Sequence, residues 1–139
     1  MRKFTFRLEK VLEYRRLEEG WAKDAYRQAQ AARMEGDAAL ARIGERRVTL
    51  LAQPVLSLPE RRELESMLER LDGEEDVQRS VLAELMDEEA KAYTDWIERK
   101  QDLQAMEKLR ARAHEEWLQQ ANRKEQEALD EWSVLRRAA

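Results

Sequence analysis

Apolar and small residues recur every three or four positions along most of the 139-residue chain, and this spacing constrains the fold most strongly. Steps of three and four place residues on one stripe of an α-helix, where they can pack against a second helix in a coiled coil. We therefore predict a first helix over about residues 4–52, interrupted on its stripe by Arg15 and Glu18. The first stripe comprises Phe4, Leu8, Val11, Ala22, Ala25, Ala29, Ala32, Gly36, Ala39, Ile43 and Leu50, and a second row of the same helix contains Leu12, Tyr26 and Leu40.

A second stripe with the same spacing predicts a helix over about residues 58–137. Gly73, which follows Asp72, is its one weak point, because Gly in a helix interior costs about 1 kcal/mol relative to Ala. This position leaves two alternatives open, a kink in one helix or a turn that makes residues 58–72 a short extra helix. The second stripe comprises Leu64, Leu68, Leu71, Gln78, Leu82, Leu85, Ala92, Trp96, Arg99, Leu103, Met106, Ala113 and Trp117.

Both prolines of the chain lie in one charge-free stretch, residues 48–59. Pro54 lacks a backbone donor and disfavours the α region for the preceding residue, so the first helix should end near residue 52. Ser57 and Glu60 have the spacing of a capping box, and Pro59 would fall in the first helical turn, where its missing N–H costs nothing. The sequence thus predicts a loop over about residues 53–57 and a second helix that begins near Leu58.

The composition agrees with long helices, because 40% of the residues are charged and only four Gly are present. We predict an all-α fold, a long two-helix antiparallel coiled-coil hairpin in one domain (1–139) with an extended second helix. Pairing outward from the loop at equal helical rise would place Phe4 opposite a residue near 108. About the last 30 residues, including Trp117 and Trp132, would then lack an intramolecular partner.

The chemistry needed for catalysis is missing, so we predict a non-enzymatic protein with no cofactor and no small-molecule substrate. The chain has no Cys, which excludes disulfides and thiolate-bound metals, and its single His114 has no carboxylate within one helical turn on its face. Residues 1–52 contain 12 basic and 8 acidic residues, whereas residues 53–95 contain 5 and 13. Because the net charge is −4, nucleic-acid binding is not expected, and the absence of a long apolar run indicates a cytoplasmic protein.

The N-terminal pattern Phe4-x-Phe6-x-Leu8-x-x-Val11-Leu12-x-x-Arg15 resembles the opening of the FliJ family, small coiled-coil proteins of the flagellar type III export apparatus. The C-terminal half is similar too, with Trp96, Lys100 and Leu103 in a charged helix and Leu129-Asp130-Glu131 before a basic tail. The resemblance implies a stalk that inserts its paired ends into the hexameric export ATPase. It also implies contact with the cytoplasmic domain of the export gate protein, a role as export chaperone, and peripheral association with the inner membrane at the flagellar base.

Carried onto this sequence, the resemblance implies two interaction sites. The site for the ATPase ring would comprise Phe4, Phe6, Leu8, Val11, Leu12, Arg15, Trp117 and Trp132. The site for the export gate would lie toward the loop and comprise Leu40, Ile43, Leu64, Leu68 and Leu71. The residues of the second site could equally be ordinary members of the stripes.

Two alternatives stay open at this point. The chain could be a self-associating structural coiled coil whose unpaired ends bind each other, or the equivalent stalk of an injectisome. The stalk interpretation predicts a monomer or a weak dimer, whereas the structural interpretation predicts a tight dimer.

Overall fold

The computed structural model describes residues 2–138 and contains two α-helices that pack against each other as a helical hairpin. Helix α1 spans Glu9–Ala52 and helix α2 spans Leu58–Ala138. The described residues include no β-strand. The predicted all-α hairpin with an extended second helix is therefore confirmed. Neither of the two helices, as far as they are described, is long and apolar enough to cross a bilayer.

Helix α1 begins at Glu9, five residues later than the sequence analysis placed it. Residues 2–6 have no regular secondary structure, and Arg7 and Leu8 form a turn in which the Glu9 N–H donates to the Phe6 carbonyl at 3.1 Å. The Glu9 carboxylate then lies in the first helical turn, where the helix dipole favours a negative charge. We call residues 2–8 the N-terminal segment.

The loop follows the sequence prediction closely. Helix α2 begins at Leu58, and the Glu60 N–H donates to Ser57 Oγ at 3.3 Å, as a capping box requires. The Glu60 carboxylate accepts from the Leu56 N–H at 2.9 Å, so it reaches one residue further back than the Ser57 backbone. The first bond satisfies a donor that the first turn of a helix leaves unpaired, and the second satisfies a donor of the loop.

Gly73 lies inside α2, so the predicted alternative of a turn with a short extra helix is wrong. No glycine among the described residues has a positive φ, and a Cβ built at Gly73 would meet no atom within 4 Å. Its place in the helix therefore costs helix propensity but produces no backbone reversal.

The chain divides into two compact units. The terminal unit comprises Met1–Gly20 and Glu98–Ala139, and the loop-end unit comprises Trp21–Ile97. Every predicted residue of the α2 stripe, from Leu64 to Trp117, is buried or half-buried in its unit. The heptad spacing of α2 was thus predicted correctly.

In the terminal unit, the core position is Leu12, whose side chain is fully buried. Val11, which the sequence analysis placed on the main stripe, is 42% exposed. The reason is the phase of the heptad, because steps of four and three from Leu8 lead to Leu12 and Arg15 and turn Val11 away from α2. The predicted stripe of α1 was therefore one residue out of phase at this point.

The loop-end unit has four buried apolar residues, Ala22, Ile43, Leu71 and Leu82. Ala25 and Ala32, predicted on the stripe, are exposed, and the half-buried positions beside them are Tyr26 and Arg33. Here too, the residues at strict heptad spacing, Tyr26 and Arg33, are half-buried, although the neighbouring residues Ala25 and Ala32 are more apolar.

The helices approach each other closely at Gly36, which is buried. A Cβ built there would lie 2.9 Å from Leu85 Cδ1 and 3.2 Å from Leu82 Cδ1. The amide of Gln78 donates from Nε2 to the Gly36 carbonyl at 3.2 Å, across the two helices. The absence of a side chain at this position is thus what allows α2 to pack so close.

Candidate functional site

The N-terminal segment is attached to α2 through Phe4. The Phe4 ring lies edge-on to His114, with 4.8 Å between ring centroids and 82° between ring planes. Its centroid is 5.9 Å from that of Trp117, and Arg110 Cζ lies 5.6 Å from it over the ring. We call these four residues the Phe4 cluster.

The Phe4 cluster corrects the predicted register, which placed Phe4 near residue 108. The non-helical N-terminal segment explains the difference, because an extended residue advances about 3.3 Å and a helical residue only about 1.5 Å. Phe4 therefore reaches further along α2 than a helical residue would. The stretch of α2 beyond its reach is correspondingly shorter than predicted.

A second contact joins α2 to the residue that directly follows the N-terminal segment. Arg110 donates from Nε to the Glu9 carboxylate at 2.9 Å, at the first residue of α1. Arg110 thus contacts both Phe4 and Glu9, and His114 and Trp117 stack on each other with a centroid distance of 6.1 Å. His114 is consequently an aromatic packing residue.

The other residues that the sequence analysis assigned to the ATPase-ring site differ in exposure. Phe6, Leu8 and Arg15 are half-buried, and Val11 is 42% exposed. Arg15 forms ion pairs with Glu18 at 3.5 Å and with Asp102 at 3.8 Å. Leu12 is buried in the core of the terminal unit, so its side chain is available to a partner only if the helices separate.

The end of α2 has no cover within the described chain. Residues 122–138 are helical and every one of them is exposed, including Leu129 at 58%, Trp132 at 60% and Leu135 at 70%. Arg136 Cζ lies 5.0 Å from the Trp132 ring centroid, in a cation–π arrangement on the same helix. We call residues 122–138 the exposed α2 end.

An open groove of about 1160 Å³ lies between the helices of the loop-end unit. It brings together Ile43 and Leu71 from the predicted gate site, whereas Leu40, Leu64 and Leu68 are half-buried and do not line it. We call it the loop-end groove. The remaining lining residues, most of which the sequence analysis did not single out, are Ala39, Arg42, Glu45, Arg46, Thr49, Leu50, Met67, Arg70, Gly73, Glu74, Val77 and Gln78.

Charged residues occupy stripe positions in the loop-end unit and pair across the helices. Arg33 donates from Nε to Glu89 at 2.6 Å and from Nη1 to Asp37 at 2.8 Å. These hydrogen bonds, that to Glu89 first, raise the pKa of Arg33 above its usual range. Because Arg33 is 27% exposed and Glu89 18% exposed, this pair is shielded from solvent more than a surface ion pair.

A second group of ion pairs lies near the loop-end groove. Arg47 binds Asp72 at 2.8 Å and also contacts Glu75, which accepts from Arg79 at 2.7 Å. The hydrogen bond from Arg79, together with the charges of Arg47 and Arg79, lowers the pKa of Glu75. The pairs of Arg47 join α1 to α2 in the loop-end unit, and the Arg79–Glu75 pair lies within α2.

An aromatic cluster lies in the loop-end unit at Tyr26, Tyr93 and Trp96. Tyr26 stacks on Trp96 with ring centroids 5.6 Å apart, and Tyr93 lies 5.3 Å from Tyr26. The sequence analysis noted Tyr26 and Trp96 separately but did not pair them. Their heptad positions on α1 and α2 are the signal that could have done so.

Within residues 2–138, no group of three or more potential ligands could hold a metal ion. The surfaces that the structure offers are instead apolar or charged faces of helices.

Comparison with known proteins gives one match. A family model described as "Flagellar FliJ protein" matches residues 4–138. No curated protein and no solved structure matches the chain.

Proposed function

Because this match covers nearly the whole chain, the protein belongs to the flagellar FliJ family, and we propose that it is a stalk-like activator of the flagellar export ATPase ring. The family identifies it as a coiled-coil protein related to flagellar export. The finer role would be non-enzymatic. The protein would stabilise the hexameric ATPase and thereby raise its activity, while hydrolysis is the ATPase's own chemistry.

The observation that carries this proposal is the exposed α2 end. Soluble helices of this length are stabilised mainly by tertiary packing, yet Leu129, Trp132 and Leu135 pack on nothing within the described chain. Burial of such side chains against a partner contributes about 1.5–3 kcal/mol each. A ring that encloses the end of α2 would supply this burial.

The test is to add the purified protein to its cognate export ATPase and to measure turnover and hexamer formation. Both should increase, and a variant with Leu129, Trp132 and Leu135 replaced by Ser should lose the increase. The three side chains are exposed, so these substitutions should leave the fold intact. A matched control replaces Val48, Leu51 and Leu56, which are also exposed and lie in the loop-end unit. An unchanged ATPase at saturating protein concentration would disprove the proposal.

The proposal includes a second contact, between the loop-end groove and the cytoplasmic domain of the export gate protein. The groove has apolar side chains on its floor, Ile43 and Leu71 among them, with Arg42, Arg46 and Arg70 among its lining residues. This contact would hold the protein, located in the cytoplasm, at the membrane-embedded gate. Binding of export chaperones at the same end is a further part of the proposal.

Val77 and Val81 provide a matched pair for testing the gate contact. Val77 lines the groove and is 65% exposed, whereas Val81 is 41% exposed on the same helix and does not line it. Replacing Val77 with Glu should weaken binding to the purified gate domain, and Val81→Glu should not. Equal affinities of the two variants would place the gate contact elsewhere.

A self-associating coiled coil is the second candidate, and the exposed α2 end supports it as well, since two copies could cover each other's apolar residues. Sedimentation equilibrium distinguishes the two. The stalk proposal predicts a monomer or weak dimer at micromolar concentration. A tight dimer that the Leu129, Trp132 and Leu135 substitutions dissociate would favour self-association.

A further inference from the structure

The N-terminal segment carries an unusual charge for its length. Arg2, Lys3 and Arg7 are basic, and residues 2–8 include no carboxylate. Within the described part of the chain, no ion pair joins any of these three side chains to an acidic residue. Three exposed cations are therefore presented by a stretch that precedes the first residue of α1.

The Phe4 cluster holds this segment in one place. Phe4 contacts the ring of His114, the ring of Trp117 and the guanidinium group of Arg110, all on one face of α2. Arg110 also binds Glu9, which marks the point where the segment enters α1. Residues 4–8 therefore lie between two contacts with α2, one at Phe4 and one at Glu9, and Arg2 and Lys3 precede the first of these contacts.

The N-terminal segment and α2 together line two grooves, one of about 440 Å³ and one of about 550 Å³, the larger of which lies next to Lys124. Arg2 lines both grooves of the terminal unit, Lys3 and Arg7 line the first, and Lys124 lines the second. The carboxylates among the lining residues are Glu116 and Glu125. Positive charge therefore exceeds negative charge along this surface.

We propose that the N-terminal segment, held on α2 by the Phe4 cluster, is a cationic docking strand for an acidic protein surface, and that His114 and Arg110 are its positioning residues. The inference rests on the proposed function, because that acidic surface would belong to the export ATPase ring. Opposite charges on the two surfaces favour the correct orientation and faster association, and salt weakens both effects. His114 acts through Phe4 and does not itself contact the partner.

The first experiment measures attachment of the segment without any partner. Trypsin should cleave after Arg7 slowly in the wild-type protein and about tenfold faster in His114→Ala, because loss of the aromatic contact releases the segment. His114→Phe keeps an aromatic ring at this position and should restore slow cleavage. Equal cleavage of all three proteins would overturn the positioning role of His114.

The second experiment measures affinity for the cognate export ATPase at several salt concentrations. Replacing Arg2, Lys3 and Arg7 with Gln should reduce affinity about tenfold at low salt and flatten its salt dependence, because three charge contacts are lost. A matched control replaces Lys10, Arg112 and Arg123 with Gln. These substitutions also remove three positive charges, but from other exposed positions of the terminal unit. His114→Ala should weaken binding and His114→Phe should not.

The outcomes separate the two proposals. If the wild-type protein and both triple variants bind the ATPase with the same affinity, the docking strand is disproved and the proposed function stands. If the wild-type protein does not bind at all, the proposed function fails, and the acidic partner fails with it whatever the trypsin result. Tighter binding of the segment to vesicles containing anionic lipid than to the ATPase would overturn the protein partner in favour of a membrane surface.

Discussion

The loop-end unit and the terminal unit stabilise the same kind of helix pair in different ways. In the loop-end unit, four buried apolar residues are combined with a close approach at Gly36 and with ion pairs at stripe positions. Among the described residues of the terminal unit, Leu12 is the one buried apolar residue, and the Phe4 cluster adds aromatic contacts from a non-helical segment. The loop-end unit thus combines buried apolar residues with ion pairs between the helices, whereas the terminal unit leaves Leu129, Trp132 and Leu135 exposed.

The largest expected effect tests how far the terminal unit depends on Leu12. Replacing this fully buried leucine with Ala should lower the free energy of unfolding by about 2–5 kcal/mol, through lost burial and the cavity that remains. Urea unfolding followed by circular dichroism measures the loss. Leu135→Ala, at a position that is 70% exposed, should change stability by less than about 0.5 kcal/mol.

Hydrogen exchange shows where the Leu12→Ala protein loosens. Faster exchange should be confined to amides of the terminal unit, because the loop-end unit has its own buried residues. Equally faster exchange in both units would show that they unfold together and that neither unit has a stability of its own.

The next effect concerns the close approach in the loop-end unit. Gly36→Leu should lower stability by about 1–3 kcal/mol, because even a Cβ would lie 2.9 Å from Leu85. Gly44→Leu is the matched control on the same helix, since a Cβ there meets nothing within 4 Å, and it should raise stability by about 0.5–1 kcal/mol. Thermal unfolding of the two variants gives the comparison. Similar melting temperatures would mean that the helices adjust easily at Gly36.

Helix order, the loop and the capping box at Ser57 could be predicted from the sequence because each depends on local chemistry: proline, a capping side chain and heptad spacing. The phase of α1 could not, because Tyr26 and Arg33 occupy stripe positions while Ala25 and Ala32 offer a more apolar alternative beside them. Burial was decided by contacts with α2, which the spacing on one helix does not reveal.

The candidate sites were predictable only in part for the same reason. Phe4 and Trp117 were predicted to share a site and do contact each other, but His114 and Arg110 were missed. Their role follows from the non-helical course of residues 2–8, which shifts the register of Phe4 on α2. Ile43 and Leu71 were predicted together and line one groove, although both side chains are largely buried.

A smaller effect separates the ion pairs of the two units. The Arg33–Glu89 pair is more shielded than the Glu9–Arg110 pair of the terminal unit, whose side chains are 38% and 41% exposed. Removing Glu89 should therefore lower the melting temperature more than removing Glu9, because the half-buried Arg33 then keeps only the more exposed Asp37 as its partner. Glu89→Gln and Glu9→Gln make the comparison at low and at high salt. The reverse order would show that shielding from solvent does not determine how much these pairs contribute to stability.

The smallest effect is a pH dependence confined to the loop-end unit. Hydrogen bonding by Arg79 and the charge of Arg47 lower the pKa of Glu75 in the folded protein. The unfolded chain then binds a proton more readily than the folded one, so acidification favours unfolding. This contribution is complete above the ordinary pKa of a glutamate and is lost as the pH falls through the lower folded value.

Melting temperatures measured from neutral to acidic pH should therefore fall less steeply for Glu75→Gln than for the wild-type protein. Glu63→Gln, at an exposed position of the same helix, is the control and should leave the slope unchanged. Parallel curves for all three proteins would show that the ion pairs of Glu75 do not stabilise the loop-end unit.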